Sequence, residues 1–277
     1  MTWATSNDRA EFETAAGEYL AADPAECTYL MGMAASSQER GRGAGFGWWR
    51  AESGAAVGGA YICVPGRRAA VGPMPEAAAR ELALLWRENG PPAPLVVGPD
   101  EAVEPLVHAW RELGGGWRPA RRERLFELTD LTAVAPQPPG RARLAGEPDA
   151  PLVARWFAEY TREVGEPAGG DLLEAALRRI KEGQITLWEA DGEVVSLAGR
   201  SAVVSGQARV APVYTPAGLR GHGYAGAVTF AVTEDARAAG AGQVILFTDT
   251  GNATSNALYQ RLGFRPRSGF TAGGLEG

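Results

Sequence analysis

The chain has 277 residues, of which 45% are hydrophobic, and its formal net charge is −6 at pH 7. This length favours about two domains of ordinary size. The negative charge argues against nucleic acid as the main partner, because phosphate backbones bind basic surfaces. No apolar run is long enough to span a membrane, and the N-terminus lacks the pattern of a secretion signal. We therefore expect a cytoplasmic protein.

The chemistry of the rarer residues argues against a metal site. Cys27 and Cys63 lack metal-ligand spacing, and we expect both to be small, buried and reduced. The chain has only two histidines, so a histidine-based metal centre is not expected either.

In the N-terminal half, helices are predicted to alternate with strands. A polar, glycine-rich loop is expected from Ser36 to Gly45. The predicted elements are, in order, helices from Asn7 or Asp8 to Ala22 and from Cys27 to Ala35, strands Phe46–Ala51, Ala56–Val64 and Ala69–Val71, a helix from Pro75 to Arg87, a strand Leu95–Gly98, a helix Asp100–Leu113 and a strand Arg124–Leu128.

A proline-rich segment, Ala135–Gly140, separates the two halves and is interpreted as a stiff linker. Beyond it, Trp156 belongs to an apolar helical stripe that we expect to pack in the core. The predicted elements of the C-terminal half are a strand Arg141–Leu144, helices Pro151–Val164 and Asp171–Glu182, strands Ile185–Ala190, Glu193–Val204 and Ala208–Tyr214, a helix Ala225–Ala239, a strand from Gln243, and a helix that ends at Gly263.

The segment Arg220-Gly221-His222-Gly223-Tyr224-Ala225 lies between a predicted strand and a predicted helix. Glycines let the backbone turn tightly and direct several N–H groups into one concavity. A helix that begins there adds its unpaired N–H groups and the positive end of its dipole. The arrangement indicates a phosphate or pyrophosphate site. The alternative is a simple sharp turn before a helix, and the segment matches neither the P-loop nor the dinucleotide fingerprint.

A second motif follows about thirty residues later. Asn252 and Tyr259 are seven residues apart, so they share one face of a helix, which Gly263 ends before Phe264. Together with the Arg-x-x-Gly-x-Ala pattern of the first segment, this motif resembles the GNAT acyl-coenzyme A transferases. The resemblance covers residues 141–270. The amino-acid sequence just before Tyr259 is most similar to the branch that carries two GNAT-like halves in one chain.

The resemblance implies that the chain binds acetyl-coenzyme A as an acyl donor. Pantetheine would lie beside the strand that ends at Tyr214, where Pro212 fits a splayed or bulged position. The residues implied to contact the cofactor are Val213, Tyr214, Thr215, Arg220, Gly221, His222, Gly223, Tyr224, Ala225, Asn252 and Tyr259.

The resemblance also makes Tyr259 the candidate acid that protonates the departing sulfur, although a packing role is the alternative for a tyrosine on an amphipathic helix. Many relatives carry a glutamate on the fourth strand, and here that strand has no acid. Asp249 is the candidate general base, acting directly or through water. Glu163 and Glu166 are further candidates, and each has a plain surface carboxylate as its alternative. His222 is expected to contact phosphate or solvent.

The order of elements is the same in both halves, which suggests a duplicated fold. We expect two GNAT-like α/β domains, each a twisted mixed sheet flanked by helices. They are placed at residues 1–135 and 141–277, with residues 136–140 as the linker. In the first half, Gly72-Pro73-Met74-Pro75 occupies the position of the glycine segment, and prolines have no N–H to donate. The first half is therefore interpreted as a degenerate copy that does not bind coenzyme A.

The predicted function is acetyl-coenzyme A-dependent N-acetylation of an amine of a small molecule or of an α-amino group. Two alternatives remain open: an acyl-coenzyme A sensor or scaffold without turnover, and a transferase that uses a longer acyl group. No nucleic acid, membrane or metal partner is expected, and the sequence leaves monomer and homodimer open.

Overall fold

The computed structural model describes residues 2–37, 44–64, 66, 68–90, 93–165 and 170–277, and the chain divides into two compact units. The first unit contains Met1–Leu125 and Arg267–Gly277, and the second contains Phe126–Pro266. These bounds do not coincide with the predicted domain boundaries. The end of the chain joins the first unit because its strand pairs there, with Phe270 opposite Pro99. The proposed linker lies within the second unit.

The first unit alternates helices and strands, as predicted. Its elements are β1 Thr2–Ser6, α1 Arg9–Ala22, α2 Thr28–Ser37, β2 Gly45–Arg50, β3 Val57–Val64, β4 Arg68–Val71, α3 Glu76–Asn89, β5 Val96–Pro99, α4 Asp100–Glu112, and the start of β6 Gly116–Leu128. β1, which pairs antiparallel with β2, has no counterpart among the predicted strands. Most of the predicted Ser36–Gly45 loop lies outside the described residues.

The sheet of the first unit has helices on both faces. Strands β1 to β4 are antiparallel neighbours, and β4 pairs parallel with β5. Trp110 and Leu82 are buried in the core under α3 and α4, and Phe12 and Leu30 in the core under α1 and α2. Cys27 and Cys63 are buried and free of disulfides, as predicted.

The second unit repeats the mixed arrangement. Its elements after β6 are β7 Arg141–Leu144, α5 Ala150–Glu163, α6 Leu172–Lys181, β8 Ile185–Ala190, β9 Glu193–Arg200, β10 Gln207–Tyr214, α7 Tyr224–Ala238, β11 Gln243–Asp249, α8 Ala253–Arg261, and the start of β12 Phe264–Glu276. The neighbours run β11-β10-β9-β8-β7, and only the β11–β10 pair among them is parallel. The predicted strand Glu193–Val204 ends earlier, at Arg200.

Amphipathic helices close both faces of this second sheet. Helix α7 buries Val228 and Val232 against one face, and α5 with α6 buries Trp156 and Phe157 against the other. Each such fully buried apolar side chain contributes roughly 1.5–3 kcal/mol relative to exposure. The core position predicted for Trp156 is confirmed. No helix in the described part of the chain has the length and apolarity that crossing a membrane requires.

Candidate active site

Strands β10 and β11 pair over only part of their length. Four parallel pairs run from Gln207 opposite Gln243 to Val210 opposite Leu246. β10 then continues to Tyr214 and β11 to Asp249, beyond the paired segment. On its other side β10 changes register against β9 between Val210 and Val213, around Pro212. The bulged position predicted for this proline is confirmed, since proline has no N–H for a central ladder.

Arg179 on α6 holds the bulge from the α5–α6 face. Its Nη2 donates to the carbonyl of Ala211 at 2.8 Å and to that of Arg200 at 2.9 Å. The guanidinium also stacks over the Phe157 ring, 5.6 Å from its centroid. Burial lowers the pKa of Arg179 to about 10, so the group remains a cation and a donor at neutral pH. The carbonyl of Ala211 at the bend of β10 and that of Arg200 at the end of β9 therefore share a fixed charged partner.

The glycine corner, defined here as residues 221–226, has the geometry of an anion cradle. Gly221 and Gly223 both have φ of 83°, in the left-handed region that favours glycine. α7 begins at Tyr224, one residue before the predicted start. Its first partnered amide is Ala227 N, which donates to Gly223 O at 3.1 Å. Within the described residues, no group accepts a hydrogen bond from the six backbone N–H groups of the corner.

The space in front of Gly221 and Gly223 is open, whereas Gly226, at the other end of the corner, is buried against Val134 and Leu258. A Cβ placed on Gly221 would have no heavy atom within 4 Å, and one on Gly223 would meet only the Pro138 ring, at 3.7 Å. His222 is exposed, and its ring stacks on Tyr224 with centroids 5.6 Å apart. The part of the corner around Gly221 and Gly223 is therefore not filled by side chains, and it fits a diphosphate at the start of a helix.

Arg220 connects this corner to β10 and to α5. Its Nε donates to the carbonyl of Thr215 at 2.9 Å. Its Nη2 lies 2.8 and 2.7 Å from the two carboxylate oxygens of Glu163. The candidate base Glu163 is thus already paired with a cation of the glycine segment, and Glu166 lies outside the described residues.

The second motif forms the start of α8 as predicted. Asn252 is the N-cap, and its Oδ1 accepts a hydrogen bond from Ser255 N at 3.0 Å. Gly263 follows the end of the helix with φ of 97°, and a side chain there would overlap the Asp130 carbonyl. The candidate base Asp249 caps the preceding turn, since its Oδ1 accepts from Gly251 N at 2.7 Å.

Asn256 is a candidate residue that the sequence reasoning did not single out. Its Nδ2 donates to the carbonyls of Asp249, Thr250 and Asn252, at 3.1, 3.4 and 2.9 Å. Its Oδ1 is buried and has no hydrogen-bond partner among the described residues. An acceptor held in place but left unsatisfied is costly unless a ligand completes it. The only sequence signal was an amide side chain one turn after the N-cap.

Tyr259 is almost completely buried, with 8% of its surface exposed. Its ring meets Phe264 edge-on, with centroids 6.2 Å apart. Burial raises the pKa of the Tyr259 phenol, and the neighbouring Tyr160 phenol raises it further. The phenol is therefore protonated at neutral pH, as a general acid must be.

One face of α5 contacts each of these parts. The α5 stripe, defined here as Trp156, Glu159, Tyr160 and Glu163, has the i, i+3, i+4, i+7 spacing of a single helix face. The Trp156 ring lies 6.0 Å from the Tyr214 ring, and Tyr214 OH donates to Glu159 Oε2 at 2.8 Å. The Tyr160 phenol raises the pKa of Tyr259 on α8 electrostatically, and Glu163 forms an ion pair with Arg220. The stripe therefore joins the end of β10, the second motif and the glycine segment.

The end of β10 is fixed by buried hydroxyl groups. Ser196 Oγ donates to the carbonyl of Tyr214 at 3.0 Å and lies 2.8 Å from Thr215 Oγ1. Burial raises the pKa of Tyr214 to about 12, with its hydrogen bond to Glu159 as the second cause. The predicted residues Tyr214, Thr215 and Arg220 thus form one hydrogen-bonded cluster, whereas Asp249 contacts its own turn.

Residues 150–264 match the model of the Acetyltransferase (GNAT) family. The match contains the α5 stripe, β10, the glycine corner and the second motif. Residues 150–264 are a GNAT acetyltransferase domain. The family is one of acyltransferases, so the predicted family and enzyme class are confirmed. No curated protein sequence matches the chain significantly.

Solved GNAT structures are similar to the chain over its whole length. A GCN5-related N-acetyltransferase from Sphaerobacter thermophilus is 17% identical, with 98% of this chain and 94% of that chain covered and a TM-score of 0.64. A GNAT-family acetyltransferase from Colwellia psychrerythraea is 12% identical, with both chains covered completely and a TM-score of 0.62.

A third similar structure is a tandem GNAT protein from the clavulanic acid biosynthesis pathway, solved without AcCoA. It is 13% identical to this chain, with 98% of each chain covered and a TM-score of 0.57. At such identities the likeness concerns the fold. It confirms the predicted class, a mixed α/β fold with two GNAT-like domains.

Proposed function

We propose that the second unit transfers an acetyl group from acetyl-coenzyme A to an amine of a small molecule or to an α-amino group. The observation that carries this proposal is the glycine corner, where six N–H donors have no acceptor among the described residues and the space at Gly221 and Gly223 is open. It lies at the start of a helix, beside Arg220, within a domain of an acetyltransferase family.

The glycine corner would hold the diphosphate of the donor substrate. Its N–H groups supply hydrogen bonds to anionic oxygens, and the dipole of the fifteen-residue helix α7 adds a partial positive charge. Arg220, which is paired with Glu163, would supply a cation next to these N–H groups when it turns to the diphosphate. His222 and Tyr224 offer a stacked, exposed pair of rings beside it.

Pantetheine would lie along β10 past the end of its pairing with β11. The backbone of Val213, Tyr214 and Thr215 is available at that end for strand-like hydrogen bonds to the two pantetheine amides. The unsatisfied Oδ1 of Asn256 offers an acceptor for an amide N–H. Asn252, which caps α8, lies one helical turn before it.

In the reaction, the amine attacks the thioester carbonyl and the sulfur departs. Tyr259 supplies a proton to that sulfur, and its buried, neutral phenol suits the role. Backbone N–H groups at the end of β10 would stabilise the carbonyl oxygen as negative charge develops there. We also propose Asp249 as a base that acts through a water molecule, because its Oδ1 already accepts a hydrogen bond from Gly251 N.

The corresponding corner of the first unit supports its interpretation as a degenerate copy. Gly72 N already donates to the Ala60 carbonyl at 2.9 Å, and Tyr19 OH donates to the Pro73 carbonyl at 2.6 Å. A side chain on Gly72 would overlap Tyr19 and Leu30, so this corner is filled. We propose that the donor binds only the second unit.

The test uses the full chain in two steps. Calorimetry measures the binding of coenzyme A and acetyl-coenzyme A, and a thiol assay then follows acetyl-coenzyme A with polyamines, amino sugars, free amino acids and a dipeptide. We expect binding and thiol release that depends on one class of amine. Binding of coenzyme A without thiol release would favour a sensor. Faster thiol release from a longer acyl-coenzyme A would show that the transferred group is not acetyl. Absence of coenzyme A binding would refute the proposal.

A further inference from the structure

We infer that Glu159 receives the acceptor amine as its ammonium ion and takes a proton from it. This inference rests on the proposed acetyl transfer and assigns the general base, for which β10 itself has no acidic residue. β10 contains no aspartate or glutamate over Gln207–Tyr214, so a carboxylate near its end must come from another element.

Contacts to the end of β10 distinguish Glu159 from the other acidic residues. Glu159 Oε2 accepts the hydrogen bond from Tyr214 OH at 2.8 Å, which ties the carboxylate to the last residue of the strand. Glu163, one turn later on α5, is neutralised by Arg220. Asp249 accepts from the amide of its own turn. Glu159 is therefore the described carboxylate that is hydrogen-bonded to the end of β10, and its ion pair with Arg155 is a long one, at 3.9 Å.

The second oxygen of Glu159 has capacity for a ligand. Its nearest cation is Arg155 Nε, 3.9 Å from Oε1, beyond hydrogen-bond distance, and that arginine is 63% exposed. No described residue donates a hydrogen bond to Oε1. The Glu159 side chain is 31% exposed, so solvent and a small cation reach it. A carboxylate with one oxygen fixed and the other unbonded is suited to pair with a primary ammonium.

Tyr214 is the positioning residue for this carboxylate. Its backbone carbonyl is held by Ser196, and its ring is packed against Trp156. Because burial keeps the phenol protonated, Tyr214 donates to Glu159 throughout the neutral range and does not compete for the substrate proton. The pair thus places a proton acceptor at the end of the strand that would carry the thioester.

The proton balance of the step is complete without further reagents. The ammonium loses two protons as its nitrogen forms the C–N bond and the C–S bond breaks. Glu159 takes the first and passes it to solvent. Tyr259 gives its own proton to sulfur. The second proton from the ammonium passes through Glu159 and solvent to Tyr259 and restores its phenol. The acceptor class is therefore a cationic primary amine, and a neutral arylamine would lack the charge that Glu159 recognises.

The decisive variant is Glu159→Gln, which keeps the size of the side chain and its carbonyl acceptor for Tyr214 but removes the charge and the basicity. With the best amine of the panel, we expect kcat/KM for that amine to fall about 100-fold or more. The dissociation constant of acetyl-coenzyme A should stay within about twofold, which also shows that the variant is folded. Glu174→Gln on α6 is the matched control, because its side chain is exposed and outside the site, and its turnover should be unchanged.

A second variant tests the positioning role. Tyr214→Phe keeps the ring beside Trp156 and removes only the O–H, so we expect a fall in kcat of about tenfold with an unchanged acetyl-coenzyme A affinity. With Glu159→Ala, added formate should restore part of the rate, because a free carboxylate replaces the missing base.

The outcomes separate this inference from the proposed function. If the wild-type chain turns over the amine and Glu159→Gln does so at the same rate, the role of Glu159 is refuted and acetyl transfer stands. If Glu159→Gln loses affinity for acetyl-coenzyme A as well as rate, Glu159→Ala is assayed at saturating acetyl-coenzyme A. A rate that formate does not raise there refutes the role of Glu159. If the wild-type chain releases no thiol with any amine, both proposals fall.

Discussion

Arg220 binds Glu163 through one nitrogen, with Nη2 at 2.8 and 2.7 Å from the two carboxylate oxygens. The two side chains are 49% and 46% exposed, so the pair contributes little to stability. Its importance is positional. The same guanidinium stands beside the glycine corner, where we propose that a diphosphate binds. A bound diphosphate and Glu163 would therefore compete for one cation.

Glu163→Gln should tighten the binding of coenzyme A. The substitution removes a negative charge near the diphosphate and releases Arg220, and an exposed ion pair of this kind corresponds to about two- to fivefold in affinity. Calorimetry at low salt measures the change, and the gain should shrink as salt rises. Arg220→Gln should weaken binding, and in that background Glu163→Gln should give a smaller gain than in wild type, because only the loss of its negative charge remains. Weaker binding by Glu163→Gln would show that Glu163 supports the donor site.

Gly223→Asp should abolish detectable binding of coenzyme A. Gly223 has φ of 83°, so any side chain strains the backbone by about 1–2 kcal/mol, and aspartate adds a carboxylate where the diphosphate would lie. Gly223→Ala separates the strain from the charge and should lose less affinity than the aspartate. Gly218→Asp, in the exposed turn Ala217–Leu219, places the same charge outside the corner and should retain binding. Equal binding by Gly223→Asp and wild type would refute the cradle.

The glycine corner was accessible to sequence reasoning because its chemistry is local. Left-handed glycines, an arginine and a helix start are read from consecutive residues, and Gly221 and Gly223 take those conformations. The bulge at Pro212 was accessible for the same reason, since a proline inside a strand cannot donate to the ladder.

The Glu159–Tyr214 pair was not accessible in this way. Its two residues are 55 apart in the chain, and their contact depends on how α5 packs on the sheet. The same packing of α5 brings Glu163, a candidate base from the sequence, into an ion pair with Arg220. β1 was not predicted because it is a short strand with mostly exposed residues. The pairing of β12 with β5 was not predicted either, because it joins strands that are distant in the sequence.

Tyr259→Phe should reduce kcat and leave the affinity for acetyl-coenzyme A nearly unchanged. General acids contribute about 10²- to 10⁴-fold, and the packing against Phe264 survives the loss of a hydroxyl. Because burial raises the pKa of Tyr259 above its ordinary value of about 10, the acid form persists as pH rises. Wild-type kcat should therefore show no loss of this acid between pH 7 and about 9.5. A rate for Tyr259→Phe equal to wild type would leave the tyrosine a packing role.

Arg179→Met should affect both stability and donor binding, because Arg179 is the fixed partner of the bend in β10. The variant leaves the carbonyls of Ala211 and Arg200 without their charged donor, which should cost about 1–3 kcal/mol in the free energy of unfolding. Since Val213–Thr215 follow the bend directly, acetyl-coenzyme A should also bind more weakly. Chemical denaturation and calorimetry measure the two effects. Arg178→Met, the neighbouring residue of α6, is the matched control. If both variants lost the same stability and neither lost affinity, the bend would hold its shape without Arg179.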